Sequence, residues 1–378
     1  MRACAAVSVL TALWSCGRLG YDASTDADPR SLRDGATDDG ANSSDGSAPD
    51  ARPITNNIAF VSSAQYTGNL GGLAGADSEC NRLATAANLP GNYLALLSTS
   101  TVDARERIAS ARGWVRPDGV PLADTASDLF DSREMFSPPA VTESGEELLV
   151  PFAESAVYTG SELFGAWRPN RSCGDWTEIG SASVGGSLID NTLRSVSDAL
   201  SSCAGPSRIY CFGVDLSSEV TPSTAAGRFA FVTNASWQSG GGLGDADLLC
   251  QTEAGGLPGT YKALLAVEGA SAASRFDTVG VPWVRIDGMA LADTAAQLFS
   301  SAYWRLGINQ RADGTRNFET QRVWIGASSL SQPGDATSTC SDWTSTSSSV
   351  ISSGGRVGRI DTADLTAATP SCQSTLYK

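Results

Sequence analysis

The chain has 378 residues, with 26 Lys and Arg against 41 Asp and Glu, a net charge of −15 and no histidine. Such acidity argues against a basic surface that would hold a phosphate backbone, so nucleic acid is not an expected partner. Without histidine there are no Ser-His-Asp or Cys-His nucleophiles and no histidine-ligated metals, and carboxylates are left as the acid–base groups.

The N-terminus reads as an export signal. Arg2 supplies the positive start, and Ala5–Trp14 is an apolar run too short to span a bilayer. The run ends in Leu13-Trp14-Ser15-Cys16-Gly17, which resembles the bacterial lipobox, with Trp14 unusual at its position. Residues 1–16 are therefore expected to be a lipoprotein signal peptide, with Cys16 the lipidated residue. No later segment is long and apolar enough to cross a membrane. Gly17 rather than Asp after Cys16 gives no signal for inner-membrane retention, and the resemblance to bacterial lipoproteins implies anchoring at the outer membrane or cell surface of a Gram-negative-type bacterium. Residues 17–56 follow as an acidic Ser/Asp/Gly linker. From Asp22 onward it carries eight aspartates against three arginines and almost no large apolar side chain. It cannot bury enough surface to offset its ordering entropy and is expected to be a disordered tether.

The rest of the chain is written twice, with an offset of about 170 residues, the size of a domain rather than of a solenoid repeat. Trp114-Val115-Arg116-Pro117-Asp118-Gly119 returns as Trp283-Val284-Arg285-Ile286-Asp287-Gly288, and Cys173-Gly174-Asp175-Trp176 as Cys340-Ser341-Asp342-Trp343. The expected organisation is a first domain over 57–215, a linker over 216–226 and a second domain over 227–378 with a truncated last strand.

Each copy opens with a half-buried strand, Ile58–Ser62 or Phe229–Thr233, and a Gly-rich turn. A helix follows, with Asp77 as a candidate cap and Cys80, Leu83, Ala84 and Ala87 on one face. Pro90-Gly91 and Pro258-Gly259 stop the helices. Next come a strand from Tyr93 or Tyr261, a hairpin turning at Asp118-Gly119 or Asp287-Gly288, a short helix near Leu129, a strand near Tyr158 or Trp324, the Cys-x-Asp-Trp motif and a last strand at Arg208–Phe212. One helix near the start, several short strands, long loops and paired cysteines describe an α+β domain.

Beyond Cys4 and Cys16, seven cysteines remain: Cys80, Cys173, Cys203 and Cys211 in the first copy, and Cys250, Cys340 and Cys372 in the second. In an exported chain they are disulfide candidates, and four cysteines allow three pairings. No Cys-x-x-Cys pair suggests a metal. Ser374–Lys378 aligns with Ser207–Cys211, so Lys378 is expected where the last cysteine would stand. If Cys80 pairs with Cys211, then Cys340 and Cys372 keep each other and Cys250 is left unpaired.

The order Tyr158-Thr159-Gly160-Ser161, Cys173-Gly174-Asp175-Trp176, Ser202-Cys203 and Ile209-Tyr210-Cys211-Phe212 resembles the C-terminal half of the endostatin domain of collagens, which has a C-type-lectin-like fold. Each copy also resembles a lectin-like domain of bacterial cell-envelope lipoproteins. The resemblance implies two tandem C-type-lectin-like domains after the tether, with first and last strands paired. It implies nested disulfides, Cys80–Cys211 outside Cys173–Cys203, and Cys340–Cys372 in the second copy. It does not carry a ligand over. The Glu-Pro-Asn or Gln-Pro-Asp and Trp-Asn-Asp sets of calcium-dependent sugar binders are missing, as are the zinc-binding histidines and heparin-binding arginines of endostatin.

Repeated residues are expected to serve the fold: Trp176 and Trp343 as core, Asp175 and Asp342 as turn caps rather than calcium ligands, Asp124 and Asp293 as helix caps. Function is sought where the copies diverge. The loop over 132–154 carries Glu143, Glu146, Glu147 and Glu154, whereas its counterpart carries Arg305, Arg311, Arg316 and Arg322. Glu143, Glu146, Trp167, Arg305, Arg311 and Arg316 are the candidate ligand-loop residues, facing two different ligands or each other. The expectation is a surface-anchored binding or adhesion lipoprotein for a glycan or protein, with no catalytic residue, metal or cofactor. A carboxylate-dependent hydrolase and a purely structural envelope protein are the alternatives.

Overall fold

A computed structural model describes residues 55–131, 135–188, 190, 195, 197, 199–316, 322–375 and 378. The expected signal peptide, Cys16 and all but the last two residues of the tether lie outside the described residues.

Strand β1 (Asn57–Val61) is buried along its whole length rather than on one face. The reason is its central place: Ala59 and Val61 face one apolar cluster and Ile58 and Phe60 another. Helix α1 (Gly72–Ala86) turns Ala76, Cys80, Leu83 and Ala84 inward. Its cap is Gly71 at φ 78°, not Asp77. Asp77 lies inside the helix, where it accepts the Ala95 amide at 2.8 Å and pairs with Arg107 at 2.6 Å. Strand β2 (Tyr93–Ala95) and helix α2 (Ala104–Ile108) follow. Strands β3 (Arg112–Val115) and β4 (Pro121–Thr125) form the expected hairpin, with Gly119 at φ 80° in its turn. Helix α3 (Ala126–Phe130) is capped by Thr125 and Asp128 in a capping box. Asp124 is therefore no cap; it pairs with Arg112 and accepts the Val220 amide at 2.9 Å.

Strand β5 (Ala156–Tyr158), the single turn α4 (Cys173–Trp176), and strands β6 (Ala182–Ser187), β7 (Ala199–Ser202) and β8 (Arg208–Gly213) complete the first copy. The sheet order is β4-β3-β1-β8-β5-β6-β7, with β2 also on β8. First and last strands are antiparallel neighbours, Phe60 opposite Cys211. Cys80–Cys211 ties α1 to β8, and Cys173–Cys203 ties α4 to the loop after β7. With 131 residues between its ends, Cys80–Cys211 stabilises the fold by roughly 5 kcal/mol on the chain-entropy account.

The second copy repeats this plan in part: β9 (Arg228–Phe229), α5 (Gly242–Ala254), β10 (Trp283–Val284), α6 (Gln297–Ser300), β11 (Arg322–Trp324), α7 (Cys340–Trp343) and β12 (Gly354–Arg356). Strand β9 pairs parallel to β10 as β1 does to β3, and β11 pairs with β12 as β5 does with β6. Cys340–Cys372 matches Cys173–Cys203. Cys250 does not have the free thiol expected of it: its sulfur is disulfide-bonded. Lys378 also departs from expectation. Its amide donates to Arg322 O at 2.9 Å and its carbonyl accepts from Trp324 N at 3.1 Å, which sets it beside Val323 as Arg208 sits beside Val157. Lys378 thus occupies the first position of a last strand, not the cysteine position. Among the described residues nothing corresponds to Ile209–Gly213.

The copies interlock. Phe136 and Val220 belong to the second copy's core, and Ile360 to the first's. The expected linker is packed rather than free, with the Ala225 amide on Gly288 O at 2.9 Å. Asp190 and Arg359, at equivalent places in the repeat, bridge the copies with Nε–Oδ2 at 3.1 Å, their side chains 0% and 1% exposed. Like positions meeting like positions is the pattern of an isologous contact, here within one chain.

Candidate functional site

The Cys-x-Asp-Trp motif builds an unusual turn. Cys173, Gly174, Asp175 and Trp176 have φ of 52°, 58°, 54° and 68°, and Cys340 to Trp343 have 51°, 54°, 51° and 65°. Four successive left-handed residues are disfavoured by about 1–2 kcal/mol for each non-glycine. They are held by the disulfide at one end and the buried indole at the other, with Trp176 Nε1 on Ser98 O at 2.9 Å and Trp343 Nε1 on Ala266 O at 2.8 Å. Asp175 accepts from the Ser100 amide and the Ser172 hydroxyl, both at 2.9 Å, and Asp342 from the Glu268 amide at 2.7 Å. Burial opposes charge on Asp175, but its Ser100 and Ser172 donors prevail and hold the carboxyl below its usual range. Both aspartates thus pin a loop. Among the described residues no three metal-ligating side chains come together.

The divergent loops divide between core, surface and the contact between copies. Glu143 is 8% exposed and accepts from the Ser63 amide at 2.9 Å. Glu146 is exposed, and Trp167 is half-buried with its amide on Asp103 at 2.6 Å. Arg305 pairs with Asp293 at 2.5 Å, so Asp293 is a partner rather than a cap. Arg305 also lines a cavity of about 200 Å³ between the copies with Arg116 and Asp118. Arg311 is half-buried, with no partner for its Nε among the described residues. Arg316 pairs with Asp287 at 2.6 Å and lies over the Phe136 ring at 4.8 Å. The buried Arg285 pairs with Asp287 at 2.7 Å and donates to Phe136 O at 2.7 Å. Of the two fates open to these loops, mutual contact is the one seen at Arg316. The part of Arg116 and Arg285, each buried beside its own Asp-Gly turn, was not foreseen; their repetition inside Trp-Val-Arg was the available signal.

A cleft that sequence reasoning missed lies in the second copy. A cavity of about 120 Å³ opens between Ala230–Thr233, Lys262–Leu265 and β11, lined by Phe231, Trp237, Leu249, Cys250 and Trp324. In the first copy the same three elements enclose β8. Two lysines, Lys262 and Lys378, break the apolar lining. Lys262, 9% exposed, replaces Leu94 and makes no hydrogen bond or ion pair among the described residues. Burial and then nearby Arg275 pull its ammonium below the usual lysine range, against Asp247, which Arg275 already engages at 2.7 Å. Lys378, at the mouth, is likewise lowered by burial and by Arg311.

Comparison with protein-family models gave no match, and neither did comparison with curated protein sequences. The fold is that of a mixed α+β protein with three disulfides joining described residues, which indicate an oxidising compartment, extracellular or periplasmic. No helix among the described residues is long and apolar enough to cross a membrane.

Proposed function

We propose that this chain is an exported, non-catalytic binding or adhesion protein, lipid-anchored at Cys16, built from two tandem C-type-lectin-like modules. The observation that carries the binding reading is the cleft of the second copy. It is lined by apolar side chains and by Lys262, whose ammonium has no partner among the described residues, with Lys378 beside it, a surface that holds a ligand by contact and charge rather than by proton transfer. The pairing of first and last strands and the nested disulfides of the first copy support the lectin-like module. The leader with Leu13–Gly17 supports the anchor. Glycan- and protein-array binding with and without EDTA tests the reading. Saturable binding insensitive to EDTA is expected; turnover of an array ligand, or binding lost in EDTA, refutes the non-catalytic or the metal-free part. Mass spectrometry of the N-terminal peptide tests the anchor, which fails if Cys16 carries no lipid.

A further inference from the structure

We propose that the cavity on the seam between the copies binds a small organic acid as its anion, with the carboxylate on the Arg305 guanidinium and the apolar body against Val120, Met289 and Leu306. This goes beyond the binding reading and makes no use of the cleft of the second copy. The cavity exists because the seam is filled on one side only. Phe136 and Arg305 hold corresponding positions: Phe136 N donates to Leu122 O at 2.7 Å, and Arg305 N to the corresponding Leu291 O at 2.8 Å. Phe136 crosses into the second copy's core, and its carbonyl accepts from Arg285 at 2.7 Å. On the Arg305 side the contact is looser. Arg116, the counterpart of Arg285, donates instead to Pro138 O of its own copy at 3.3 Å. The linker also covers one hairpin turn and leaves the other bare. A Cβ on Gly288 would meet Thr224 at 3.0 Å, whereas one on Gly119 would meet nothing within 4 Å. What remains beside Gly119 is the space of about 200 Å³.

Size and chemistry set the ligand class. A cavity of about 150 Å³ holds one benzene ring, so this one holds a six-membered ring carrying a carboxylate. Val120, Pro121, Met289, Ala290 and Leu306 give it apolar walls, and Ser223 adds a hydroxyl. Its charged groups are unequally engaged. Asp118 Oδ1 accepts from Arg116 Nε at 3.1 Å and from the Val120 amide at 3.2 Å, and Oδ2 from Arg116 Nη2 at 2.5 Å. Arg116, 2% exposed, turns its remaining nitrogen to Pro138 O. Arg305 is engaged through Nη1 alone, by Asp293, and the two side chains are 46% and 61% exposed. So exposed a pair contributes little. Nε and Nη2 of Arg305 have no acceptor among the described residues. A carboxylate gripped by that fork against apolar walls gains a bidentate, charge-assisted contact that the surface pair does not provide.

The test titrates the full chain, labelled on its methionine methyl groups, with benzoate and with benzamide as its neutral isostere. Of the three methionines, Met289 lines the cavity, so its methyl resonance reads the site directly. Saturable benzoate binding that moves the Met289 methyl is expected, with benzamide weaker by about tenfold or more. Arg305→Gln should bring benzoate down to the level of benzamide. Arg305→Phe, which puts the first copy's residue on the second, should fill the cavity and abolish binding of both; if that variant does not fold, Arg305→Gln decides. Four results overturn the proposal: no saturable benzoate binding, binding that leaves the Met289 methyl unmoved, equal affinity for benzamide, or unchanged benzoate affinity in Arg305→Gln. Full binding by a folded Arg305→Phe does so too. Array binding is a separate readout, so failure of benzoate leaves the binding reading standing, and failure on the arrays leaves this site standing.

Discussion

Ser341→Gly should make this protein more stable. Ser341 sits at φ 54°, ψ 60° in the middle of the left-handed turn, where the first copy has Gly174. It is exposed, and its hydroxyl makes no hydrogen bond among the described residues, so the substitution removes no contact. Relief of the left-handed backbone is worth about 1–2 kcal/mol for a residue with a Cβ. The larger entropy of glycine in the unfolded chain takes back about 0.5–1 kcal/mol. The net expectation is a gain of roughly 0.5–1 kcal/mol, read by urea denaturation with disulfides intact and the Trp343 environment as fluorescent reporter. Asp342→Gly is the control. It relieves a similar φ of 51° but removes the carboxylate that accepts the Glu268 amide at 2.7 Å. The loss of that bond, about 1 kcal/mol or more, should cancel the gain. A destabilised Ser341→Gly, or equal gains in both variants, would refute the claim that the turn is strained and held by its aspartate.

Three further outcomes are expected. Arg359→Ala should lower unfolding stability by about 3–5 kcal/mol, because it takes the arginine from the buried Asp190 and from Asp364, while Asp190→Leu combined with Arg359→Met should recover part of the loss in thermal melts. Acid titration of stability should show a fall below about pH 4. Burial opposes charge on Asp118 and Asp287, but Arg116 and Arg285 outweigh it, and both carboxyls, like that of Asp175, titrate lower folded than unfolded. Their contribution is present above the ordinary carboxylate range and lost as pH falls through the folded values; Asp364, raised by burial, runs the other way and is outnumbered. Replacing both Cys173 and Cys203 by Ser should cost about 3–4 kcal/mol, given the 30 residues the bridge spans, with Cys80–Cys211 still found in a non-reducing peptide map.

What could be read from the sequence was whatever the repeat wrote twice with a local signature. The hairpin at Asp118-Gly119 and the burial of both Cys-x-Asp-Trp tryptophans follow from short-range chemistry. The nested disulfides came from the endostatin resemblance. Partners distant in the chain were not legible. Asp77 has the composition of a cap, yet Arg107 and the Ala95 amide, far along the chain, claim it. Asp124 and Asp293 failed as caps for the same reason, each taken by an arginine. The end of the chain misled because Tyr377 resembles Tyr210. Backbone pairing instead sets Lys378 at the place of Arg208, an offset that side-chain similarity cannot reveal. The cleft was hidden because an apolar lining reads in sequence as ordinary core.

The duplication explains why the copies need not do the same work. Each sends residues into the other's core: Phe136 one way, Ile360 the other, with Asp190 and Arg359 between them. Asp190 and Arg359 stand at equivalent positions, and an aspartate in one copy met by an arginine in the other is what a symmetric contact becomes once its halves can change separately. Two like charges at that place in a dimer of identical copies would repel in a buried setting. Fusion removes that constraint. The loops that differ in charge, read in the sequence as facing two ligands or each other, do meet at Arg316, but through the Phe136 ring of the other copy, its ion pair being to Asp287 of its own.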